Sequence, residues 1–432
     1  MTEASTPAIA GTSGGEPFPL VDFFSADILA SPHDFLQKSR TSGGIVEIRT
    51  SPSQRIQYLV TRYDLVKHVL LNPQLFSSNY QDILTSGGRA DPEVEEIRAQ
   101  GFEEVSSVLT ADDADHRRLR TLISDAFSPA RLRAMSEALE QVVHDRIDGF
   151  IEQGRCDFMH DFADWLPSAA LASMMGLDGK RNGEIQAWAL AITRRFGGMG
   201  ELSQRVADER AILDAKRFME ELVEDRRRRP GDDLVSDLLR ARLDGDRLSE
   251  LEIYATIFIL LVGATETTFN TLNFAMLHLV EYPELRDRLR QDPPLVSAFV
   301  DEVLRYYTPV AGVWRIVRED LELGGVSLSK GTLLMVRFDA ANRDPAQFEQ
   351  PEDFDIFRKN NSRHLSFSLG PHTCIGFRLA KQELTIAIPA LIDRLYDLKV
   401  DRERSDLSLV PAAHARGLTS LHLTFTPGSR LK

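Results

Sequence analysis

Phe367-Ser368-Leu369-Gly370-Pro371-His372-Thr373-Cys374-Ile375-Gly376 decides how this chain is read. A glycine-bounded loop delivers one thiol to the start of an expected helix. Phe367 sets a flat apolar ring ahead of it, and Gly376 leaves the amides past the cysteine unshielded. A thiolate resting on such amides is stabilised by the positive end of the helix dipole. Those are the conditions an iron requires of an anionic axial ligand that stays deprotonated. The competing reading of Cys374 is a buried structural thiol in a glycine turn, because free cysteines often behave as small apolar residues.

The second informative stretch lies upstream. Ser249-Glu250-Leu251-Glu252 is a capping box, with Ser249 accepting from the third helical amide and Glu252 reaching back. Apolar periodicity continues to Val280, and Pro283 stops it. The expected helix has roughly 30 residues, about 45 Å at 1.5 Å per residue. Apolar on most sides, it should cross the interior. Its middle reads Val262-Gly263-Ala264-Thr265-Glu266-Thr267-Thr268. Polar groups at the centre of a buried helix need a reason. Threonine hydroxyls compete for backbone carbonyls, so this segment is expected to bend or open. The bland reading is that the threonines bond back to the preceding turn.

The remaining chain sets bounds. Its 432 residues are 43% hydrophobic, ample for a large core, and its formal charge of −14 argues against nucleic acid and anionic membrane as partners. Cys156 reads as a buried apolar residue. Residues 1–19, rich in Thr, Ser, Gly, Ala and Pro, lack the basic start and apolar core of a signal peptide and read as a disordered tail. Residues 20–432 read as a single domain. The apolar run Ala255 to Ala264 is too short to span a membrane. A cytoplasmic protein is expected. Alternating runs at Ile45–Ile48 and Ile56–Val60 predict a hairpin, with a helix near Leu65 to Leu70. Three- and four-residue spacing predicts helices over residues 131–152 and 201–229, and the closing Arg226-Arg227-Arg228-Arg229 reads as a solvated helix end. Short strands are expected within 326–336 and 419–425. No Gly-x-Gly-x-x-Gly follows a strand, which argues against a dinucleotide fold.

Taken together, these stretches resemble the cytochrome P-450 superfamily over residues 20–425. Phe367, Gly370, Cys374 and Gly376 fill its Phe-x-x-Gly-x-x-x-Cys-x-Gly heme loop, and Gly263 to Thr267 fill its (Ala/Gly)-Gly-x-(Asp/Glu)-Thr oxygen-activating element. Glu302 and Arg305 match its Glu-x-x-Arg pair, followed by Pro351-Glu352-Asp353-Phe354, and the elements fall in the family's order. The resemblance implies a mainly α fold with small β-sheets, a triangular helical prism around a long central I helix. It implies heme b held by Cys374, O2 as co-substrate, and a monooxygenase acting on a small hydrophobic molecule. Thr267 is implied to hydrogen-bond dioxygen and Glu266 to relay protons. His116, Arg120, Arg315 and His372 are implied to hold the heme propionates. The implied substrate pocket draws on Ile259, Val262, Gly263, Ala264, Ala311, Val313 and Leu418, with access loops at 79–109 and 187–202, the second holding a glycine-rich hinge at 197–200.

Three departures stand out: Ala264 where a second glycine is usual, Ser368 where glycine is common, and Asp353 where arginine is common. Asp353 is expected either to meet Arg305 as a second carboxylate or to leave the brace rearranged. Little chain follows the cysteine helix, so no flavin or iron–sulfur module is expected. Electrons are implied to come from a separate [2Fe-2S]-type or other ferredoxin and its reductase. A basic patch of Arg117, Arg118, Arg120, Arg378 and Lys381 is expected to dock it. Two rival readings are a peroxide-driven peroxygenase and a non-catalytic heme carrier. The Glu266-Thr267 pair argues against both.

Overall fold

Three- and four-residue apolar spacing becomes helix close to the expected bounds. The protein is described by a computed structural model covering residues 22–48, 57–80, 91–197 and 201–429. The expected tail, the turn of the first hairpin and glycines 198 and 200 lie outside these residues.

The helices that build the site are α1 (Tyr63–Leu71), α2 (Asp113–Ser124), α3 (Pro129–Asp148), α4 (Asn182–Gly197), α5 (Leu202–Arg228), α6 (Glu250–Glu281), α7 (Leu295–Tyr307) and α8 (Phe377–Arg394). α3 stops short of the expected residue 152 because Gly149 caps it and a 3-10 turn, Ile151–Gln153, follows. The arginines closing α5 are ion-paired: Arg226 to Asp233 at 2.5 Å, Arg227 and Arg228 to Glu224 at 3.6 and 3.4 Å, and Arg229 to Asp225.

α6 is the central element, with 32 residues and both capping-box hydrogen bonds formed. Ser249 N–H donates to Glu252 Oε2 at 2.7 Å, and Glu252 N–H donates to Ser249 Oγ at 3.3 Å. α4, α7 and α8 pack against it. By length and composition it could cross a membrane, but most of its side chains are buried in the core. The expected opening at Gly263–Thr268 does not occur, and the helix runs unbroken. Thr265 and Thr267 donate their hydroxyls to the carbonyls of Leu261 and Gly263 at 2.6 and 2.9 Å, as additional bonds alongside the ladder.

The expected hairpin forms as β1 (Ile45–Ile48) antiparallel to β2 (Gln57–Val60), with Ile45 opposite Val60. It joins β3 (Phe76–Ser77), β5 (Gly312–Val317) and β8 (Leu333–Arg337) in one sheet of order β1-β2-β8-β5-β3. β4 (Arg155–Asp157), β9 (Leu395–Val400) and β10 (His422–Pro427) form a second sheet, and β6 (Leu321–Leu323) pairs with β7 (Val326–Leu328). The single run expected at 326–336 is therefore two strands, broken at Gly331 with φ of 85°. Cys156 is buried in β4, and burial pushes its thiol up. One large core lies among the helices, and a smaller one lies under the five-stranded sheet.

The expected second access loop is not a loop: residues 187–197 belong to α4. In the first, residues 92–98 are helical and 81–90 lie outside the described residues.

Candidate active site

The cysteine loop is built from its own backbone. Cys374 N–H donates to the Phe367 carbonyl at 2.8 Å, and Thr373 N–H and Oγ1 donate to the Gly370 carbonyl at 3.1 and 2.8 Å. Gly370 has φ of 77°, and a Cβ there would stand 2.8 Å from the Leu70 carbonyl oxygen at the end of α1. Only glycine satisfies both conditions. Ser368 also adopts positive φ, 60°, and its Oγ is buried without a partner. The departure from glycine leaves the left-handed turn in place and adds strain of about 1–3 kcal/mol.

Cys374 stands just before α8, with Gly376 as the cap. Burial pushes its thiol up. The N–H groups of Gly376 and Phe377 and the charge of Arg120 pull the other way. The amides are aimed as expected, yet burial outweighs them in the protein alone. A cation at the sulfur reverses that balance, because coordination deprotonates a thiol.

This loop and α6 both line a cavity of about 970 Å³. That volume lies at the upper end of the range of small-molecule sites, about 300–1,000 Å³. Cys374, Glu266 and Thr267 all line it. Thr193 Oγ1 on α4 donates to Glu266 Oε2 at 3.1 Å. Burial pushes the Glu266 carboxyl up, with His414 and Thr193 opposing. Thr267 has its proton committed to Gly263. Gly263 leaves open space where a Cβ would be, and Ala264 adds its methyl to the wall.

Among the other expected pocket residues, Ile259, Val262 and Val313 line the cavity, whereas Ala311 and Leu418 do not. Ala311 is fully buried in a backbone junction: its N–H donates to the His414 carbonyl at 2.9 Å and its carbonyl accepts from Phe338 N–H at 2.8 Å. Leu418 is buried in the helical core, bridged to Leu409. Sequence reasoning missed Phe196, Asn270, Val310 and His414, which do line the cavity. Asn270 continues the α6 spacing and could have been found. His414 carries no local signal, because its segment arrives through the Val310–Ala415 bridge.

The implied propionate donors gather beside Cys374. Arg315, 4% exposed, donates to its own residue's neighbour, the Trp314 carbonyl, at 2.7 Å. Arg120 donates to the Thr373 carbonyl at 2.6 Å. Neither forms an ion pair with a carboxylate of the described residues, and burial is the first cause lowering both guanidinium pKa values. His372 Nε2 lies 3.0 Å from Ser78 Oγ, and its pKa is pushed down to about 3, by burial first and then by Arg315 and His116. His116 does not line the cavity. It stands behind His372 with ring centroids 4.0 Å apart, and its buried Nε2 has no partner. Buried cationic groups without counter-ions are costly unless an anion joins them. This donor set fits a planar cofactor carrying two carboxylates, with a thiol beneath it.

Behind the site, Arg305 and Glu302 are fully buried and bidentate at 2.7 and 2.9 Å. Asp353 does not supply a second carboxylate. Its side chain is exposed, and its backbone carbonyl accepts from Arg305 Nη2 at 2.9 Å. The cation that joins Glu302 is Arg358, with Nε at 3.4 Å. The brace is rearranged.

The expected basic patch is smaller than five residues. Arg118 is ion-paired with Asp246 and with Glu252, the latter at 2.6 Å. Lys381 is paired with Asp301 at 2.7 Å. Arg120 turns inward to Thr373. Arg117 and Arg378 are exposed and form no ion pair with the described residues.

A family model described as Cytochrome P450 matches residues 200–412. Cytochrome P450 107B1 of Saccharopolyspora erythraea is 34% identical over 407 residues, covering 91% of this chain and 97% of that protein. Steroid C26-monooxygenase of Mycobacterium tuberculosis H37Rv is 33% identical, covering 75% of this chain and 81% of that protein. The structure of cytochrome P450 CYP109Q5 from Chondromyces apiculatus superposes with a TM-score of 0.83 at 26% identity, covering 96% of this chain and 100% of that one. With the thiol loop, the acid–alcohol helix and Arg120, Arg315 and His372 around one cavity, the chain belongs to the bacterial cytochrome P450 family of heme-thiolate monooxygenases.

Proposed function

We propose that the cavity holds heme b on Cys374 and that the protein inserts one oxygen atom from O2 into a small hydrophobic substrate. The observation that carries this reading is that Cys374 and the Glu266-Thr267 pair line the same cavity. Heme, when bound, would supply O2 activation and oxygen transfer. The chain's own groups do the rest.

Cys374 would hold the heme iron through its sulfur. Arg120 and Arg315 would offset the charge of two carboxylates and His372 would add a neutral hydrogen-bond donor, with His116 backing His372. Glu266, whose carboxyl is pushed up by burial, places a proton-exchanging group in the cavity wall. Thr267 Oγ, whose own proton is donated to Gly263, is left able to accept one. Adjacent positions on a helix do not face each other, so transfer from Glu266 to Thr267 runs through water. The wall around them, with Ile259, Val262, Val310 and Val313, keeps other water out and suits a hydrophobic substrate. The steroid in one relative's name is a molecule of this kind.

Electrons come from a separate ferredoxin, and Arg117 and Arg378 form its basic landing site. The protein works in the cytoplasm, without nucleic acid or membrane as partner.

The test is Glu266→Gln and Thr267→Ala in heme-loaded protein, following both substrate oxidation and the fraction of electrons lost to peroxide. Each variant is expected to keep its heme spectrum while most electrons become uncoupled from product. Full coupled turnover in either variant would remove that residue from the proton path.

A further inference from the structure

Asn270 continues the α6 cavity stripe one turn beyond Glu266. It is only 4% exposed, lines the cavity, and its carboxamide makes no hydrogen bond to any described residue. Its polar neighbours are engaged elsewhere: Thr271 donates its hydroxyl to the Thr267 carbonyl at 2.7 Å, and Asn273 donates to the Phe269 carbonyl at 3.0 Å. A carboxamide that faces the cavity with no partner from the described residues is free to bond a ligand, and a second feature shows that room is kept for it. Gly417 packs directly on the carboxamide, and a Cβ there would stand 2.3 Å from Asn270 Oδ1 and 3.1 Å from its Cγ. Gly417 has no positive φ, so the glycine is required for space rather than for backbone conformation.

The segment that carries Gly417 is held firmly. His414 carbonyl accepts from Ala311 N–H at 2.9 Å, and Arg416 N–H donates to the Pro309 carbonyl at 2.8 Å. His414 lines the same cavity, and its Nε2 is buried without a partner. The seam between α6 and this segment therefore gathers unsatisfied polar groups in a cavity whose remaining distal wall is largely apolar. Charge at the seam favours a neutral ligand. Arg416 is committed to Asp339 at 2.8 Å, and Glu266 stands one turn away.

We propose that Asn270 is a substrate-anchoring residue, seated by Gly417, whose carboxamide hydrogen-bonds a hydroxyl or carbonyl oxygen on an otherwise hydrophobic substrate. The inference rests on the reading that heme fills the Cys374 side of the cavity. It adds the substrate's chemical class and the group that orients it.

The experiment uses heme-loaded protein and two matched probe series, 1-alkylimidazoles and 1-(ω-hydroxyalkyl)imidazoles of graded tail length. The imidazole nitrogen would bind the heme iron and the tail would sample the cavity. Kd is read from the shift of the heme absorption band. At the tail length that reaches Asn270, the ratio of alkyl to hydroxyalkyl Kd is expected to rise about tenfold over neighbouring lengths, the worth of one hydrogen bond. Asn270→Leu is expected to flatten that maximum. Should this variant not load heme, Gly417→Ala, which pushes the carboxamide from its seat, is expected to do the same. A flat ratio in the unaltered protein, or a maximum that survives the substitutions, overturns the proposal. Absence of any band shift with either series would instead defeat the heme reading itself.

Discussion

The brace behind the heme loop offers a graded test, because Arg305, Arg358 and Asp353 each meet it in a different way. Arg305 is sealed from solvent and makes five hydrogen bonds: two to Glu302 at 2.7 and 2.9 Å, and three to the carbonyls of Asn342, Pro351 and Asp353 at 3.0, 2.9 and 2.9 Å. Arg305→Met leaves a buried carboxylate with only the Asp355 N–H at 2.9 Å and the longer contact to Arg358, and it removes the donor from those carbonyls. Breaking a buried pair in this way costs about 3–5 kcal/mol. Arg358→Ala removes the 3.4 Å contact to Glu302 and bonds to the Gln350 and Asp353 carbonyls at 3.2 and 3.1 Å. Glu302 keeps Arg305 and the Asp355 N–H at 2.9 Å, so the loss is smaller, about 1–3 kcal/mol. Asp353→Ala leaves the carbonyl in place and deletes an exposed carboxylate, a change within about 0.5 kcal/mol. Urea unfolding of heme-loaded protein, followed by far-ultraviolet circular dichroism, ranks the three. An Asp353→Ala variant as unstable as Arg358→Ala would refute the backbone-only role given to Asp353.

If the proposed docking face is right, Arg117→Glu and Arg378→Glu should each slow reduction by an acidic ferredoxin and flatten its salt dependence. Arg118→Gln and Lys381→Gln should change that dependence far less, since both cations are already paired. Stopped-flow reduction across a salt series distinguishes the two pairs, and equal effects would disprove the smaller patch. Glu383, buried in the cavity wall with Oε2 unpartnered, has its carboxyl pushed well above the usual range by burial. Its native state therefore holds a proton that the unfolded chain releases at about pH 4.3. The stability it contributes is complete below that pH and is lost as pH rises toward the raised value. Glu383→Gln should remove this decline, so urea midpoints at about pH 5 and about pH 8 should lie closer together than in the unaltered protein. Equal spacing in both would show that the group does not titrate as its burial requires.

Much of the site was legible because it is written on single elements. The capping box, the α6 stripe and the cysteine loop depend on residues a few positions apart, and each formed with its hydrogen bonds in place. What escaped depends on distant partners. Arg118 and Lys381 look like free cations until Asp246, Glu252 and Asp301 arrive from other helices. Ala311 and Leu418 have the right chemistry for a pocket, yet strand junctions and core packing take them, while Asn270 and His414 face the cavity. The brace turned on a backbone carbonyl, which no side-chain pattern encodes. The expected break in α6 failed for a local reason: its threonines bond back one turn without displacing the ladder.

Sulfur ligation by Cys374 is tested most directly by the carbon-monoxide difference spectrum of reduced Cys374→Ser protein reconstituted with heme. The thiolate-type band is expected in the unaltered protein and absent in the variant. An unchanged band in the serine variant would contradict the assignment of the cavity.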